Sequence, residues 1–322
     1  MGGMIGKVDP ETLAKEVFAR TGASDPSVVC GPAYGEDAAA IEIGDETLVV
    51  STDPISLAAE RAGTLGVHIA CNDVAASGGD PSWLMSTVFV PAGDEDALST
   101  ITEQLHTAAD SLGASIVGGH TEYTAMIDRP LLSLTAFGLA DRFIPTGGAE
   151  PGDRVLLTKG AGIEATAILA TDFRDDADVP SETLAAGETY FEEISVVPDA
   201  RVVRSYATSM HDPTEGGVLA GLVELARASE VHVELEREDV PVREPTARLC
   251  AALGVDPLRT FGSGALLATV PEAAVEEVLA ALDDAEIDGA VIGVVSDGDS
   301  GVTLDGEQIE EPVVDDCYPL WE

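Results

Sequence analysis

Strand-like and helix-like segments alternate along both halves of this chain, and this alternation constrains the fold more than any other feature. In the first half, apolar β-branched runs at 47–53, 82–90, 115–119 and 130–140 predict strands, whereas 10–20, 65–77 and 94–112 have helical periodicity. The segment 143–154, with two Pro and three Gly, predicts a linker. A strand at 155–158, a helix at 163–170 and further alternation follow. We therefore predict an α/β (α+β) fold with two α/β domains, residues 1–148 and 149–322.

The charge of the chain excludes two classes of partner. It contains 59 Asp and Glu against 16 Lys and Arg, a formal net charge of −43. Nucleic acids and anionic membranes require basic patches, so neither is an expected partner. Because 45% of the residues are hydrophobic, the chain has enough apolar material to bury a core. The acid excess and the scarcity of lysine (Lys7, Lys15 and Lys159) predict a protein of a high-salt cytosol, where self-repulsion is screened.

Other compositional features support a cytoplasmic location. No apolar run approaches the length of about 18 residues that spans a bilayer, and the N-terminus lacks the apolar region of a signal peptide. Cys30, Cys71, Cys250 and Cys317 form no CxxC pair and no metal-ligand spacing. They are expected to be reduced, mostly buried thiols.

Acidic residues recur where apolar elements end or are interrupted, at Asp37, Asp53, Asn72-Asp73, Glu122 and Asp212. Strand ends border ligand crevices in α/β proteins, and Mg²⁺ binds a few carboxylates together with substrate phosphates. Uncompensated carboxylates repel one another unless cations lie between them. The pattern therefore predicts a metal–nucleotide site. The alternative for Asp37 alone is a solvated turn residue, whereas Asp73 interrupts an apolar helix without a structural reason.

Two glycine-rich segments have the composition of phosphate-binding turns. Gly118-Gly119-His120-Thr121-Glu122 follows a predicted strand, and residues 212–217, Asp-Pro-Thr-Glu-Gly-Gly, precede a predicted helix. Asp212 as N-cap and Pro213 as the first helical residue would explain the start of that helix. Gly216 and Gly217 would leave its positive end open to an anion. A lone His120 is more often structural than catalytic, and the role of His211 stays undecided.

Three familiar nucleotide or hydrolase motifs fail to account for the sequence. Gly160-Ala-Gly162-Ile-Glu-Ala165 matches a dinucleotide fingerprint, but the acidic turn-like segment 172–180 stands where the next strand and its acid should come. The sequence contains no GxxxxGK[ST] and no GxSxG motif. P-loop chemistry is therefore excluded, and serine hydrolysis is disfavoured.

Six short motifs in order resemble those of the aminoimidazole-ribonucleotide synthetase-related superfamily, which includes carbamoyl dehydratases of hydrogenase maturation, selenophosphate synthetases and thiamine-monophosphate kinases. The motifs span most of the chain and occupy residues 35–41, 51–54, 71–81, 117–122, 159–164 and 211–217. The versions NDVAASGGDP and DPTEGG look closest to the carbamoyl dehydratases.

This resemblance implies an N-terminal domain that dimerises through its sheet, a C-terminal domain, and ATP with Mg²⁺ between them. It implies Asp37, Asp53 and Asp73 as Mg²⁺ ligands. The implied nucleotide-binding residues are Asn72, Gly118, Gly119, Thr121, Lys159, Asp212, Thr214, Gly216 and Gly217. Asp73, His120 and Glu122 are the predicted catalytic residues. Such enzymes phosphorylate an oxygen of an acceptor, here unidentified, to make it a leaving group.

One departure from the carbamoyl dehydratases concerns the C-terminus. That branch carries its substrate group on a terminal cysteine, whereas five residues follow Cys317 here. The reactive N-terminal Cys loop of selenophosphate synthetases is also missing. The sequence therefore predicts an ATP-dependent phosphorylating enzyme with its own acceptor. A nucleotide-sensing module without turnover and a thiamine-monophosphate kinase remain the alternatives.

Overall fold

The computed structural model describes residues 8–55 and 61–321. In the described residues, the first half contains three α-helices, of which the short first one continues as a π-helix, and six strands. Their bounds are α1 (Pro10–Thr12), the π-helix (Leu13–Phe18), β1 (Val28–Cys30), β2 (Ala39–Ile43), β3 (Glu46–Ile55), α2 (Ala62–Ala76), β4 (Asp80–Pro91), α3 (Glu95–Leu112), β5 (Ser115–Thr124) and β6 (Leu131–Ala140).

The second half begins after a 3₁₀ turn at Thr146–Gly148. Its strands are β7 (Arg154–Thr158), β8 (Ser209–His211), β9 (His232–Leu235), β10 (Leu267–Val270), β11 (Gly289–Ser296), β12 (Gly301–Leu304) and β13 (Glu307–Gln308). Its α-helices are α4 (Ile163–Thr171), α5 (Ser181–Glu188), α6 (Val197–Val203), α7 (Gly217–Ala228), α8 (Glu244–Leu253) and α9 (Val275–Asp284). Short 3₁₀ turns lie at Thr189–Glu193, Arg237–Asp239, Glu272–Ala274 and Tyr318–Trp321.

Each half of the described chain forms its own mixed sheet. The first has the order β1-β2-β3-β6-β4-β5 and the second β13-β12-β9-β11-β7-β10-β8. Most neighbours are antiparallel, but β4 pairs with β5 in parallel and β9 pairs with β12 in parallel. The predicted α/β (α+β) class is therefore confirmed. The domain boundary at residue 148 stays a prediction, although no strand of either sheet crosses it in the described residues.

Helix α2 is the central helix of the molecule. It packs on β3 and β6 of the first sheet and also contacts α6 and β8 of the second half. Almost all of its residues are buried, because a helix that is apolar on every side has no face for solvent. Asn72 and Asp73 therefore lie in the interior, with exposures of 0% and 6%.

The segment 143–154 does connect the two sheets, ending at the first residue of β7, and part of it is buried. Ile144 and Thr146 are buried, and the backbone N–H groups of Thr146 and Gly147 donate to the carboxylate of Glu36. These hydrogen bonds hold the connection between the halves against the loop that carries Asp37. No helix in the described residues combines the length and apolarity needed to cross a bilayer.

The thiol prediction is confirmed, because all four cysteines are free and three of them are buried. Cys317 lies in a well-packed tail. The rings of Tyr318 and Trp321 make edge contacts with Phe261, at centroid distances of 5.7 and 5.9 Å. The C-terminal segment, which the sequence shows only as acidic and aperiodic, is therefore part of the folded structure.

Candidate functional site

A serine hydroxyl joins two of the predicted metal ligands. Asp53 lies on β3, and Asp73 lies on α2 opposite it. Ser51 Oγ donates to Asp73 Oδ2 at 2.5 Å and lies 3.2 Å from Asp53 Oδ2. The strand and the buried helix thus present their carboxylates to the same point.

A second group forms around a buried histidine. His211 Nδ1 lies 2.9 Å from Asp37 Oδ2, and Nε2 lies 2.9 Å from Glu224 Oε2 on α7. Burial alone would lower the pKa of His211, but Asp37 and Glu224 outweigh it and raise the pKa to about 10. The backbone N–H of Asp212 also donates to Asp37 Oδ2, at 3.1 Å. His211 is therefore an imidazolium that holds the Asp37 carboxylate in place.

The two groups meet as one cluster of carboxylates. Burial raises the pKa of Asp73 well above its usual value, and the charges of Asp53, Asp37 and Asp212 raise it further. Burial and then the charge of Asp37 likewise raise the pKa of Asp212, and the charge of His211 and the nearby Asn72 amide offset only part of this rise. Both carboxylate oxygens of Asp212 are buried without a hydrogen bond to any described residue. Four loops and elements therefore direct carboxylates into one interior region, and the charge of His211 offsets their repulsion only in part.

The cluster is not a ready-made cage for one ion. Among the described residues, no three His, Cys, Asp or Glu side chains are spaced as ligands of a single metal. Mg²⁺ usually keeps waters and takes only one or two carboxylates, with phosphate oxygens completing its shell. Pairs of carboxylates such as Asp53 and Asp73 fit that requirement.

Asn72, predicted to contact nucleotide, has both polar ends of its side chain occupied. Its Nδ2 donates to Ile194 O at 2.9 Å, and its Oδ1 accepts from Val196 N at 2.8 Å. These bonds attach α2 in the first half to the segment before α6 in the second. This attachment gives Asn72 a structural role, and its contact with nucleotide stays a prediction.

Lys159, also predicted to contact nucleotide, is attached to the same segment. Its Nζ donates to Glu193 O at 3.0 Å and Ser195 O at 2.7 Å, and it lies 3.1 Å from Asp199 Oδ2. Asp199 is fully buried, so Lys159 neutralises an interior carboxylate. The structure thus gives this lysine a structural partner.

The predicted Gly118–Gly119 turn is wrong, because both residues lie inside the long edge strand β5. A Cβ on Gly119 would lie 2.0 Å from Ser86 O of β4, so strand pairing requires this glycine. Gly119 pairs with Ser86 on β4, Ser86 with Leu134 on β6, and Leu134 with Asp53 on β3. Gly119 and Asp53 are therefore three strand spacings apart, about 14 Å. Within one chain, this part of β5 therefore lies apart from the carboxylate cluster. It contains the nucleotide-binding candidates Gly118, Gly119 and Thr121 and the catalytic candidates His120 and Glu122. His120 Nε2 and Glu122 Oε2 are 3.3 Å apart and exposed.

The start of α7 also differs from the prediction. Asp212 is not its N-cap, because Gly216 caps the helix with φ 75° and Gly217 is its first residue. A Cβ on Gly217 would lie 2.4 Å from Thr260 O. Gly216 N donates to Asp315 Oδ2 at 2.7 Å, and Gly217 N donates to Thr214 O at 3.1 Å. The space beside these glycines is filled by the chain itself, and a carboxylate of the tail already lies at the helix end.

Family models match both halves of the chain. The N-terminal domain of AIR synthase related proteins matches residues 35–140, and their C-terminal domain matches residues 150–305. The chain belongs to the AIR synthase related protein family. The family resemblance stated from the motifs is thereby confirmed.

This AIR synthase related protein is similar in sequence to two curated relatives and in structure to one solved protein, among others. A carbamoyl dehydratase HypE of Azotobacter vinelandii is 32% identical over 258 residues, covering 76% of this chain and 74% of the relative. A thiamine-monophosphate kinase of Halobacterium salinarum is 30% identical over 291 residues, covering 86% and 92%. The structure of hydrogenase maturation protein HypE in complex with ATP has a TM-score of 0.69 and 24% identity, with coverage of 96% and 97%.

Three acidic residues of this AIR synthase related protein lie near the carboxylate cluster but were not predicted as site residues. Glu224 and Glu164 lie on the otherwise apolar helices α7 and α4, and Asp315 lies in the tail. Glu164 and Glu224 carry the same local signal as Asp73, an acidic residue among the apolar residues of a helix. No local signal identifies Asp315, because its contact with Gly216 depends on tertiary structure.

Proposed function

We propose that this protein is an ATP- and Mg²⁺-dependent enzyme that phosphorylates an oxygen of a small acceptor. The observation that carries the proposal is the convergence of Asp37, Asp53, Asp73 and Asp212, two of which have strongly raised pKa values. Phosphoryl transfer needs positioning and neutralisation of charge more than covalent chemistry by the protein. The named relatives are enzymes, and one structural neighbour holds ATP.

The donor set fits Mg²⁺ and a polyphosphate. Of the three predicted ligands, Asp53 and Asp73 would hold the ion as a pair and Asp37 would lie beside them, and the ion would supply positive charge between the carboxylates and the phosphates. Asp212, whose oxygens have no hydrogen bond to a described residue, has acceptor capacity for a hydrated cation. Thr214, Gly216 and Gly217 would flank the phosphates only where Asp315 moves from Gly216 N.

The N-terminal sheet is the proposed site of homodimerisation. Strand β5 is an edge strand with exposed apolar residues, and such edges are normally covered. Because β5 lies three strands from Asp53 in one chain, any contribution of Gly118–Glu122 to the nucleotide site would come from a second copy.

Binding of Mg-ATP to the variant Asp73→Asn tests the proposal. We expect at least tenfold weaker binding by calorimetry, because a carboxylate that faces the ion is lost. The unfolding midpoint should not fall, since an asparagine can still accept from Ser51 Oγ and carries no charge for the neighbouring carboxylates to repel. Asp110→Asn, an exposed residue on α3, is the matched control and should bind as the parent does. Equal heats for Asp73→Asn and the parent would refute the carboxylate site.

Two further functions remain candidates. A thiamine-monophosphate kinase activity is favoured by the Halobacterium relative, which aligns over 92% of its own length. Formation of thiamine diphosphate from thiamine monophosphate would identify it directly. A nucleotide-sensing module would bind Mg-ATP but release no ADP with any acceptor.

Carbamoyl transfer through the tail has weaker support from the structure. Cys317 is 1% exposed, and burial raises its pKa above the usual thiol range. A carrier thiol must be accessible and partly ionised. The proposed acceptor is therefore a separate molecule.

A further inference from the structure

Two side chains from different halves of the molecule hold the same four residues, 193–196, which we call the joint segment. Lys159, directly after β7 in the second half, donates from Nζ to the carbonyl oxygens of residues 193 and 195. Asn72, on α2 in the first half, donates to the carbonyl oxygen of residue 194 and accepts from the N–H of residue 196. The joint segment therefore connects Lys159 to Asn72.

Asn72 in turn lies beside two carboxylates that belong to different halves. Asp73 is the next residue of α2. Burial and the charge of Asp37 raise the pKa of Asp212, and the nearby amide of Asn72 is one of the groups that oppose this rise. Asn72 and residues 194 and 196 are fully buried, so water does not replace their hydrogen bonds. The separation of Asp73 and Asp212 therefore depends on the joint segment.

The backbone of Lys159 indicates that its side chain has a specific task. Its φ is 59°, in the left-handed region, which is costly for a residue that has a side chain and free of that cost for glycine. Arg243 holds this residue and the joint segment together, because its Nε donates to Lys159 O and its Nη1 donates to Glu193 Oε2. The lysine is thus kept at a position where the backbone alone would favour glycine.

Neutralisation of Asp199 would be the simpler role for this lysine. Lys159 Nζ lies 3.1 Å from Asp199 Oδ2, and Asp199 is fully buried. An ammonium group has three donors, and an ion pair alone would not direct two of them to backbone carbonyl groups of the joint segment. The contacts with the joint segment therefore point to a second role.

We propose that Lys159 is a positioning residue, which acts through the joint segment and Asn72 to set the separation of Asp73 and Asp212. In this role it does not touch the phosphates. The effect on nucleotide binding rests on the proposed function, whereas the effect on the joint segment can be measured without nucleotide.

Two variants separate positioning from neutralisation. Asp199→Asn removes the ion pair and leaves Lys159 bonded to the joint segment. Lys159→Met in the Asp199→Asn background removes those bonds without leaving a buried carboxylate unpaired, which would be strongly destabilising. Urea unfolding establishes that both proteins are folded. Arg243→Leu, at a partly exposed side chain, is the second test if the double variant does not fold.

Hydrogen exchange of the Val196 amide, followed by NMR, measures the joint segment in the absence of nucleotide. This N–H donates to Asn72 Oδ1, so its exchange reports the opening of that bond. We expect exchange about tenfold faster in the double variant than in Asp199→Asn, the effect of one hydrogen bond. Arg243→Leu should show a smaller increase. The buried amide of Ile101 on α3 is the internal control and should not change. Equal Val196 rates would overturn the inference.

Calorimetric titration with Mg-ATP then measures the effect on the carboxylate site. Asp199→Asn should bind within about twofold of the parent, and the double variant about tenfold more weakly than Asp199→Asn. Faster Val196 exchange with equal Mg-ATP affinity would make Lys159 merely structural. Weaker Mg-ATP binding with unchanged exchange would indicate a direct contact with the nucleotide. Either result would overturn the positioning role.

The parent protein separates this inference from the proposed function. A parent that binds no Mg-ATP would refute the proposed function and the positioning role together. A parent that binds Mg-ATP, with variants that behave alike, would overturn the positioning role and leave the proposed function intact.

Discussion

Glu164 shows how the interior environment changes a single side chain. It lies in the first turn of α4 with 7% exposure, and its backbone N–H donates to Ser263 O. Burial raises its pKa from 4.5 to about 7, and the charges of Glu215 and Asp315 add to the rise. In the folded protein the protonated form therefore predominates below about pH 7, well above the range in which an exposed glutamate is protonated.

This shift predicts a pH-dependent difference between the parent and Glu164→Gln. Between pH 4.5 and 7 the folded state binds the proton more tightly than the unfolded state, so stability falls as pH rises. We expect the parent to lose about 3 kcal/mol relative to the variant across this range. Urea unfolding at several pH values measures it.

The control for this prediction is Glu182→Gln, an exposed residue in the first turn of α5. Its difference from the parent should stay small across the same range. A constant difference between Glu164→Gln and the parent at pH 4 and pH 8 would contradict the proposed protonation change.

Sequence reasoning identified most of the carboxylates but misassigned several of the polar contacts around them. Asp73 could be predicted because burying a carboxylate inside an apolar helix costs free energy that no structural role repays. Asn72 stood in the same motif, but its bonds to residues 194 and 196 join positions more than one hundred residues apart. No local pattern contains that information.

At the scale of elements, prediction succeeded where the determinants are local. The sequence predicts that helix α3 begins at an Asp and ends at a Gly. In the structure, Asp94 accepts a hydrogen bond from Ala97 N at its start, and Gly113 adopts the left-handed conformation at its end. The predicted strand at 115–119 is too short, because Gly118 and Gly119 resemble a turn in composition, whereas β5 extends to Thr124. Only the close approach of Ser86 on β4 explains Gly119 inside a strand.

The exposed edge strand leads to a prediction about assembly. Val117 on β5 is 58% exposed, and Ile116 and Tyr123 are exposed near it. We expect the parent to be a dimer by light scattering and Val117→Lys to be a monomer, because a buried ammonium would lack a partner. The added Lys lowers the net negative charge, so general repulsion cannot explain dissociation.

Val17→Lys is the matched control for this test. Val17 is 49% exposed on the N-terminal π-helix, away from the first sheet in sequence, and its variant should remain a dimer. A monomeric parent, or a dimeric Val117→Lys, would contradict an interface on β5.

At the scale of the whole molecule, the net charge of −43 dominates the electrostatics. Surface ion pairs such as Arg237–Asp256 contribute at most about 1 kcal/mol each and weaken in salt. Repulsion among the excess acids is long-ranged, and it is screened as the Debye length falls from about 10 Å at 0.1 M to about 3 Å at 1 M. Salt should therefore stabilise the fold overall.

We expect the urea midpoint to rise between 0.1 and 3 M KCl, most steeply below about 1 M, where screening changes most. Sucrose at matched osmolality is the control, because it favours compact states without screening charge. A midpoint that is flat or falls with KCl would contradict adaptation to a salt-rich cytosol. An equal rise in sucrose would assign the effect to solute exclusion.

The attachment of α2 to residues 194–196 has a consequence for how ligands come and go. Asp73 belongs to the first half and Asp212 to the second, and the two neighbouring bonds of Asn72 join those halves at the centre. A hinge that opened the molecule there would have to break both bonds in a dry interior, at a cost of about 1–3 kcal/mol for each group left unsatisfied. Ligand exchange should therefore proceed without separation of the two halves at this joint.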